Sequence, residues 1–573
     1  MQLKRFYVLL FWIVCAFPVA AQQLPDIEKL LESNDIGNTA DGYEEMVNTL
    51  LYLANAPLNI NTADFDSLKM LFLLSDSQID QLSIFRKKYG NFLHIRELLW
   101  VPGFSRKDFD NISPFITVGD IRRQERSVIS KSRMKQEVLA KIRTSLPRQE
   151  GYKKYSPADF DKRKDYERKV ENRFHGPPLG TLIKYKLQWG SHLQAGITLE
   201  NDPGEGYFTP DQKAGFDFLS AYLAVNGQHF VQTLVIGDYR LQWGQGLVAW
   251  SGFASGKSDM VVGNEKSGRG ISAYSSTDEN NYLRGVALSA CPYRNLTFDL
   301  FFSAKKTDGN LTPADTLAEE DFITVSLYES GYHRNNSECE KKHSLKEMTT
   351  GLALHWNSAY CKIGLNALYY DFKPALIPGD RLYQQYNDTG HKRWLASVDY
   401  KTAYRNIYLF GETALSDRGV WATIDGLRMS NSFMSGSVLY RRYDKKYVSR
   451  YAAGFGEYSN TSNEEGIYCG MDFTPLKNFK INIYYDWFRF FSPRYQASSP
   501  GEGWETLASL VYRHSKFEHA FRFKYESRPE DAKGVGTVAR QKSEYRYQFN
   551  YRCHKQLEFR TRLSMSGYRK DRV

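Results

Sequence analysis

Hydrophobic and polar residues alternate with a period of two along most of the chain after residue 180. The pattern is clearest near the end, in residues 543–553 and 557–565. In the first of these stretches, aromatic residues such as Tyr545 and Phe549 alternate with polar residues such as Arg546. Because successive side chains of a strand point to opposite faces, each stretch predicts a strand with one apolar and one polar face. The short polar link 554–556 predicts that the two strands form a hairpin.

The same alternation predicts a large antiparallel sheet of about 18–22 strands between residues 136 and 573, within the range of single-chain membrane barrels. The predicted strands are joined by tight links that alternate with long hydrophilic inserts at residues 147–178, 252–280, 306–346 and 373–392. Such an alternation is expected of a barrel with long outer loops and short periplasmic turns. The predicted strands are 181–189, 192–200, 216–225, 230–243, 282–291, 296–305, 349–357, 360–372, 394–402, 406–415, 420–429, 435–443, 466–473, 479–490, 505–514, 517–526, 543–553 and 557–565.

Composition favours lipid over a soluble core as the surroundings of the apolar faces. The chain contains 39 tyrosines, and aromatic residues make up 15% of it. Its mean hydropathy is −0.52, and no run after the N-terminus approaches the ~18 apolar residues that a membrane helix needs. A barrel exposes only alternate residues to lipid, so its average stays polar. The predicted fold is therefore a large antiparallel transmembrane β-barrel.

Residues 1–21 have the pattern of a secretory signal peptide. Lys4 and Arg5 precede an apolar stretch, and small residues end it at Ala21. The alternative, a lipoprotein signal ending at Cys15, places Val14 where a small residue is expected. Export and a barrel together predict the outer membrane of a Gram-negative cell. The charged residues 568–573 after a strong strand also predict that the final strands of the barrel are missing, which would leave open edges.

Between residues 25 and 118 the hydrophobic period changes from 2 to 3.6, which predicts helices. Residues 22–57 are predicted to form a helical N-terminal segment. A further set of short helices follows in residues 58–118. Ser75 and Gln78 predict a capping box at the N-terminus of one of these helices. Ser105 and Asp108 predict a similar N-terminal cap for another. A small all-α domain is therefore expected to precede the barrel.

Residues 59–63, 85–92, 95–104 and 112–118 resemble the tandem helix-hairpin-helix domain of ComEA-type competence proteins. The resemblance implies the fold of that domain, and it implies that each hairpin holds a DNA phosphate on the backbone N–H groups at a helix N-terminus. The second hairpin keeps Gly103. The first, at residues 72–75, has no glycine, and a Cβ atom there would obstruct close approach of a phosphate. The DNA contacts implied by the resemblance are Gly103, Phe104, Ser105, Arg106, Lys107, Arg86, Lys87 and Lys88. The alternative is a periplasmic module that binds protein and not DNA.

Residues 119–135 form a basic linker, which we interpret as a solvated tether into the barrel. The net charge of the whole chain is +11, and loss of Lys4 and Arg5 with the signal would leave +9. That balance permits an anionic partner without requiring one. The cysteines that remain after the signal are scattered and lack metal-ligand spacing, so the sequence predicts neither a disulfide framework nor a zinc site.

The sequence gives no signal for an enzyme or a cofactor. Gly256, Lys257 and Ser258 end a run like a phosphate-binding loop, but Ser251 stands where that motif requires its first glycine. We instead predict a loop that folds into the barrel, and a similar run occurs in Bacteroidetes-type outer-membrane proteins with an N-terminal helix-hairpin-helix domain. A serine-hydrolase elbow and a His-x-x-x-His pair are both missing from the sequence. We expect no enzymatic activity and no bound metal or cofactor.

The inward faces of the predicted strands are rich in basic residues. They predict either a lumen that favours anions such as nucleic acid, or a wall stabilised by salt bridges. The sequence thus supports two functions: uptake or docking of DNA or another polyanion at the outer membrane, or a membrane-anchored module that binds a periplasmic protein. Outer-membrane lipid is expected around the barrel in both cases. The basic residues predicted to line the lumen are Lys184, Lys186, Arg522, Lys524, Arg546, Arg552, Arg560 and Arg562.

Overall fold

The computed structural model of the chain contains a small helical domain and a large β-barrel. It describes residues 27, 30–31, 40–55, 57–119, 134–190, 192–209, 212–213, 215–227, 230–252, 256–313, 322–358, 360–377, 379–431, 433–476, 478–554 and 557–570. The predicted signal peptide, most of the predicted linker and the last three residues lie outside these ranges. Among the described residues, none of the helices is long and apolar enough to cross a membrane.

The helical region contains the segments that the capping residues predict. Its elements are α1 (Ala40–Asn55), β1 (Leu58–Asn59), α2 (Phe65–Lys69), α3 (Asp76–Tyr89), a 3-10 helix (Ile95–Trp100), α4 (Arg106–Ile112), a second 3-10 helix (Ser113–Phe115) and β2 (Ile116–Thr117). β1 pairs in parallel with β2 and joins the two ends of the domain. Ser75 and Ser105 each cap a helix through a complete capping box, as predicted.

The two hairpins of this domain reach a similar backbone conformation with different residues. Gly103 in the second hairpin has φ = 82°, a value that glycine adopts without strain. Phe72 occupies the first hairpin with φ = 56°, although a side chain makes this region unfavourable. The first hairpin thus keeps this backbone geometry without a glycine, but Phe72 has a Cβ atom where a glycine would have none.

The barrel strands follow in chain order, with the short α-helices α5 and α6 in two of the long loops. They are β3 (Met134–Arg143), α5 (Arg163–Glu171), β4 (Gly180–Trp189), β5 (Leu193–Asn201), β6 (Phe218–Asn226), β7 (Val231–Gln242), β8 (Gly270–Ala273), β9 (Leu283–Tyr293), β10 (Leu296–Thr307), β11 (Gly309–Pro313), β12 (Phe322–Leu327), α6 (Asn336–Cys339), β13 (Leu345–Asn357), β14 (Cys361–Leu376), β15 (Gly390–Tyr404), β16 (Ile407–Ser416), β17 (Trp421–Ser430), β18 (Met434–Tyr443), β19 (Glu464–Leu476), β20 (Phe479–Phe490), β21 (Gly501–His514), β22 (Phe517–Ala532), β23 (Gly536–His554) and β24 (Leu557–Lys570).

These strands form one barrel in which chain neighbours are sheet neighbours. Three short strands are exceptions: β8 pairs with β7, β11 pairs with β12, and the wall continues directly from β7 to β9 and from β10 to β13. Long antiparallel ladders join consecutive strands from β3 to β7 and from β13 to β24, as well as β9 with β10. The predicted insert at residues 306–346 is therefore not a plain loop, because it contains the hairpin of β11 and β12.

Four barrel strands are missing from the sequence prediction: β8, β11 and β12, which lie within predicted inserts, and β3. The basic linker was predicted to reach residue 135, but β3 begins at Met134 and pairs along its length with β4. Its apolar residues Val138, Leu139 and Ala140 are consecutive and do not alternate. A dyad pattern cannot detect such a strand, since it recognises only alternation.

The polarity of the barrel is inverted relative to a soluble protein. Apolar side chains such as Val398, Val438 and Phe521 are exposed on the outer surface. Charged side chains inside the barrel, such as Glu412 and Arg441, are fully buried and paired. Water penalises an apolar outer belt, whereas lipid accepts it. The described residues therefore define a large antiparallel transmembrane β-barrel preceded by a small helical domain.

Candidate functional site

The barrel has two different ends. At one end, which we call the turn end, tight turns such as residues 405–406 join the strands. At the other, the loop end, the connections are long, as between β3 and β4 or between β12 and β13. Three features fill the space between these ends: the helical domain of residues 58–118, a loop that crosses the lumen, and a vestibule at the loop end.

The helical domain, here called the plug, docks into the turn end of the barrel. Arg428 near the end of β17 is 1% exposed and contacts the plug carboxylates Asp76 at 2.7 Å and Asp80 at 3.3 Å. Gln81 of α3 donates a hydrogen bond to the backbone carbonyl of Asn431, in the turn after β17. The N-terminus of α3 is thus buried against the barrel wall.

Further ion pairs surround this contact, and most have the same polarity. Lys362 and Lys401 of the wall bind Asp66 of the plug, with distances of 2.8 and 3.3 Å. Burial would raise the pKa of Asp66, but the two ammonium groups outweigh it and hold that pKa well below its usual range. The wall is basic and the plug is acidic where they meet. The other pairs among the described residues include Lys362–Asp64 at 3.5 Å, Arg552–Asp110 at 3.6 Å, Arg513–Asp108 at 3.8 Å and, with reversed polarity, Lys107–Glu518 at 3.0 Å.

The second feature is a loop inside the lumen, residues 243–269, which we call the septum and which is described except for residues 253–255. Glu412 of β16 is 0% exposed and accepts hydrogen bonds from the backbone N–H groups of Gln245 at 2.7 Å and Leu247 at 3.0 Å. The loop leaves the wall at the end of β7, and on β19, three strands beyond β16, the hydroxyl of Tyr468 donates to the carbonyl of Val261 at 2.8 Å. The septum therefore spans the barrel from wall to wall.

Apolar packing makes the septum a filled layer and not a loose loop. Leu247, Val248 and Val261 are buried against inward-facing rings of the wall such as Tyr443 and Tyr468. Gly470 in β19 allows the closest approach, because a Cβ atom there would lie 2.1 Å from the carbonyl oxygen of Val261. The lumen is thus occupied at this level by the chain itself.

Lys257 attaches the septum to the barrel wall through ion pairs. It belongs to the run 251–258, which was predicted to fold into the barrel. The ammonium group is buried and lies 2.6 Å from Asp486 of β20, with Glu457 also in contact. The inward-folded loop predicted for this stretch is confirmed. The ammonium is surrounded by carboxylates, which leaves it unsuited to a phosphate ligand.

The septum and the plug share one charged network. Glu265 of the septum binds the same guanidinium of Arg428, at 3.0 Å, that holds the plug aspartates. Lys401 binds Glu265 at 3.1 Å as well as Asp66 of the plug. The plug and the septum therefore share two cations of the wall, Arg428 and Lys401.

The third feature is a vestibule of about 1060 Å³ at the loop end. Its walls combine tyrosines, such as Tyr383 and Tyr495, with amides and charged groups, such as Asn463 and Arg450. Trp250 of the septum contributes to its lining, and this residue donates its backbone N–H to the carbonyl of Tyr451. A cavity of this chemistry suits a polar solute that both stacks on rings and forms hydrogen bonds.

The predicted DNA contacts divide into structural and exposed residues. Arg86 donates to the carbonyls of Ile60 and Ala63 at 2.7 and 2.8 Å, so it holds the plug together. Phe104 is buried, the carbonyl of Gly103 accepts a hydrogen bond from Gln78, and Ser105 caps α4 with Asp108. Lys107 pairs with the barrel. Lys87, Lys88 and Arg106 remain exposed.

Among the eight predicted lumen residues, the described structure shows ion pairs of Arg522, Lys524, Arg552 and Arg560. Arg522 lies 3.0 Å from Asp259 of the septum, Lys524 lies 3.2 Å from Glu505, and Arg560 lies 3.0 Å from Glu558. Arg562 donates to Gln548, and Lys184 is buried. Lys186 and Arg546 are half-buried on the same strand faces, and Arg552 reaches the plug. The residues that hold the plug most firmly, Arg428 and Lys401, were not among those predicted.

Comparison of the sequence with known protein families supports the assignment of the helical domain as helix-hairpin-helix. Residues 54–117 match the family model of the helix-hairpin-helix motif. No curated protein matches the chain. This match covers the plug and its preceding residues, and the rest of the chain is defined by its barrel fold.

Similar solved structures include three outer-membrane proteins. OccK11 (OpdR) and OprD of Pseudomonas aeruginosa are 9% and 11% identical to the chain, each with a TM-score of 0.31. The in-vitro folded OmpT of Vibrio cholerae is 8% identical, with a TM-score of 0.25. Each similarity covers 68% of this chain and 90%, 88% and 89% of the respective structures. Likenesses this low carry no argument about what the chain binds or transports.

Proposed function

We propose that the protein is a gated outer-membrane barrel whose passage is closed from within by its own septum and helical plug. The observation that carries this proposal is the buried guanidinium of Arg428, which binds the plug and the septum at once. A buried ion-pair network of this kind adds little to the free energy of folding. In this proposal it selects a single position of the plug against the wall and the septum. In this proposal the vestibule receives a polar solute from outside, and release of the plug opens the turn end to the periplasm.

The wild-type chain is expected to conduct few ions when reconstituted in a planar bilayer, because two closures lie in series along its lumen. The measurement is single-channel current, with insertion verified independently by heat-modifiable migration of the barrel on a denaturing gel. Steady currents typical of an open barrel of this size from the wild-type chain would contradict the proposal. A closed baseline that opens only when both closures are weakened would support it.

A second candidate function is binding of DNA or another polyanion, favoured by the exposed basic residues of the plug. Lys87 and Lys88 at the end of α3 and Arg106 in α4 are exposed in the docked state. They were also predicted from the resemblance to competence proteins. Against them, the N–H groups of both hairpin helices are capped within the chain, and Asp108 places a negative charge at one of these sites.

If the plug binds polyanions, the full chain in detergent should raise the fluorescence anisotropy of a labelled DNA duplex at about 50 mM salt and lose most of that binding at about 200 mM. Replacement of Lys87 and Lys88 with alanine should then weaken binding. Glu171→Gln, an exposed change in an outer loop, is the matched control. An unchanged anisotropy at the lower salt concentration would exclude this second function.

A further inference from the structure

Four side chains from three long loops line one part of the vestibule, and we call them the rim residues. They are Tyr383 and Asn387 of the loop between β14 and β15, Asn460 of the loop between β18 and β19, and Tyr495 of the loop between β20 and β21. Arg494 joins the last two loops, because its guanidinium donates to the backbone carbonyls of Ser462 and Asn463. The rim residues therefore lie on loops that are held against one another.

Most charged side chains of the vestibule are neutralised within the chain. Arg450 lies 3.2 Å from Glu329, and Arg143 contacts both Glu200 and Asp202. A cation that already has a carboxylate partner has less attraction left for an anionic ligand. These pairs therefore disfavour a phosphate or a carboxylate as the solute.

The same holds on the side of the vestibule formed by the loop between β14 and β15. Asp388 lies 2.7 Å from Arg393 and 3.8 Å from Arg418. Lys445 lies over the ring of Tyr386, at 4.8 Å from the ring centroid. These contacts leave little free charge of either sign, so the lining favours a neutral solute.

Neutral polar groups are the commonest part of the lining. Serine, threonine and asparagine supply more of its residues than the charged types do. Asn387 and Asn460 are exposed, and the side-chain oxygen of each accepts no hydrogen bond within the described part of the chain. An amide both donates and accepts hydrogen bonds, as a hydroxyl group does. The rim amides are therefore suited to the hydroxyl groups of a solute.

Two rings of the rim have open faces. Tyr383 and Tyr495 meet edge to face, with centroids 5.7 Å apart and an interplanar angle of 78°, and Tyr495 is 63% exposed. Among the described residues, neither ring has a cation over it, whereas Arg334 covers the vestibule ring of Tyr332 at 4.1 Å from its centroid. The two perpendicular rings thus form a corner against which a flat apolar surface can pack.

We propose that the vestibule binds a neutral oligosaccharide, which packs on Tyr383 and Tyr495 and forms hydrogen bonds with Asn387 and Asn460. A sugar ring has an apolar C–H face and a rim of hydroxyl groups, so it uses both kinds of contact at once. The cavity of about 1060 Å³ lies at the upper end of small-molecule sites, which span roughly 300–1,000 Å³, and has room for several sugar units. The vestibule is the one that receives the solute in the proposed function, on which this assignment rests.

An array of neutral glycans, acidic glycans and short peptides tests the class of ligand. The fluorescently labelled full chain is applied in lauryldimethylamine oxide, a detergent without a sugar headgroup. Neutral oligosaccharides are expected to bind more tightly than monosaccharides, acidic glycans or peptides. Preferred binding of acidic glycans or of peptides would overturn the assignment, and so would the absence of binding to every glycan on the array.

Variants of the rim place the binding site. Tyr495→Ala should weaken binding of the best neutral oligosaccharide about tenfold, because one aromatic contact is lost, whereas Tyr495→Phe should retain it within a few-fold. Tyr360→Ala is the matched control, since Tyr360 is an exposed tyrosine between β13 and β14 at the turn end. Equal binding by Tyr495→Ala and the wild type would overturn this site. Heat-modifiable migration shows whether each variant has folded.

Glycan binding and closure of the barrel are measured independently. Glycan binding by a wild-type chain that conducts steadily in a planar bilayer would contradict the closure and retain the saccharide site. A closed wild-type baseline without any glycan binding would contradict the saccharide site and retain the closure.

Discussion

Replacing Arg428 with methionine is expected to release the plug from the turn end of the barrel. Arg428 is buried between Asp76, Asp80 and Glu265, and its removal would leave these carboxylates without their common cation. Loss of one partner from a buried ion pair costs about 3–5 kcal/mol. That cost corresponds to a shift of roughly 100-fold or more in the ratio of docked to undocked plug.

Hydrogen exchange of the full chain in detergent measures this release. Backbone amides of α3 near Ser75–Gln81 should exchange faster in Arg428→Met, while the barrel strands keep their protection. Arg294→Met is the matched control, because Arg294 is an exposed arginine in the turn between β9 and β10 at the same end. Equal protection of α3 in Arg428→Met and in the wild type would show that the plug is held by other contacts.

A rescue variant separates charge from packing in the same experiment. Combining Arg428→Met with Asp76→Asn and Glu265→Gln should restore much of the docking, because the stranded charges are then neutral. Asp80→Asn alone should leave docking intact. Burial, together with the carboxylates of Asp76 and Glu265, raises the pKa of Asp80 to about 7, so this residue is partly protonated at neutral pH. Its ionisation weakens docking as the pH rises through 7, and Asp80→Asn should remove that pH dependence.

Replacing Glu412 with alanine is expected to loosen the septum. Its carboxylate accepts the backbone N–H groups of both Gln245 and Leu247, and alanine would leave two buried donors without partners. Each unsatisfied donor costs about 1–3 kcal/mol. Glu412→Gln keeps an acceptor oxygen at the same place and should lose much less, which makes it the matched control.

Ion conductance in a planar bilayer distinguishes the two closures. Glu412→Ala alone should conduct little while the plug remains docked, and Arg428→Met alone should conduct little while the septum holds. The double variant should exceed the wild-type conductance at least tenfold, because both closures are then weakened. High conductance from Glu412→Ala alone would show that the plug does not seal the turn end.

The sequence predicts this fold best where the information is local. Alternation in residues such as Tyr545 and Arg546 specifies a strand and its two faces, and the strands predicted from residue 181 onward all appear in the structure. The capping boxes of Ser75 and Ser105 also lie within four residues, and both are formed. β3 was missed because consecutive apolar residues hide its period.

The site was far less predictable, because its contacts join distant parts of the chain. Asp76 and Arg428 are 352 residues apart, and each taken alone is an ordinary charged residue. The basic faces were predicted to form either a lumen that favours anions or a wall stabilised by salt bridges, and Arg552 lies 3.6 Å from Asp110 of the plug itself.

The septum also constrains the order in which the chain can assemble. The hydroxyl of Tyr447 donates to the carbonyl of Leu247, which lies 200 residues earlier in the chain. Strands that cover the septum come from the second half of the chain. Until those strands arrive, an apolar segment with unpaired backbone groups has no place in either water or lipid. Contacts this distant in sequence form slowly and leave aggregation-prone intermediates. We therefore expect the C-terminal strands to close around the loop before the barrel enters the bilayer.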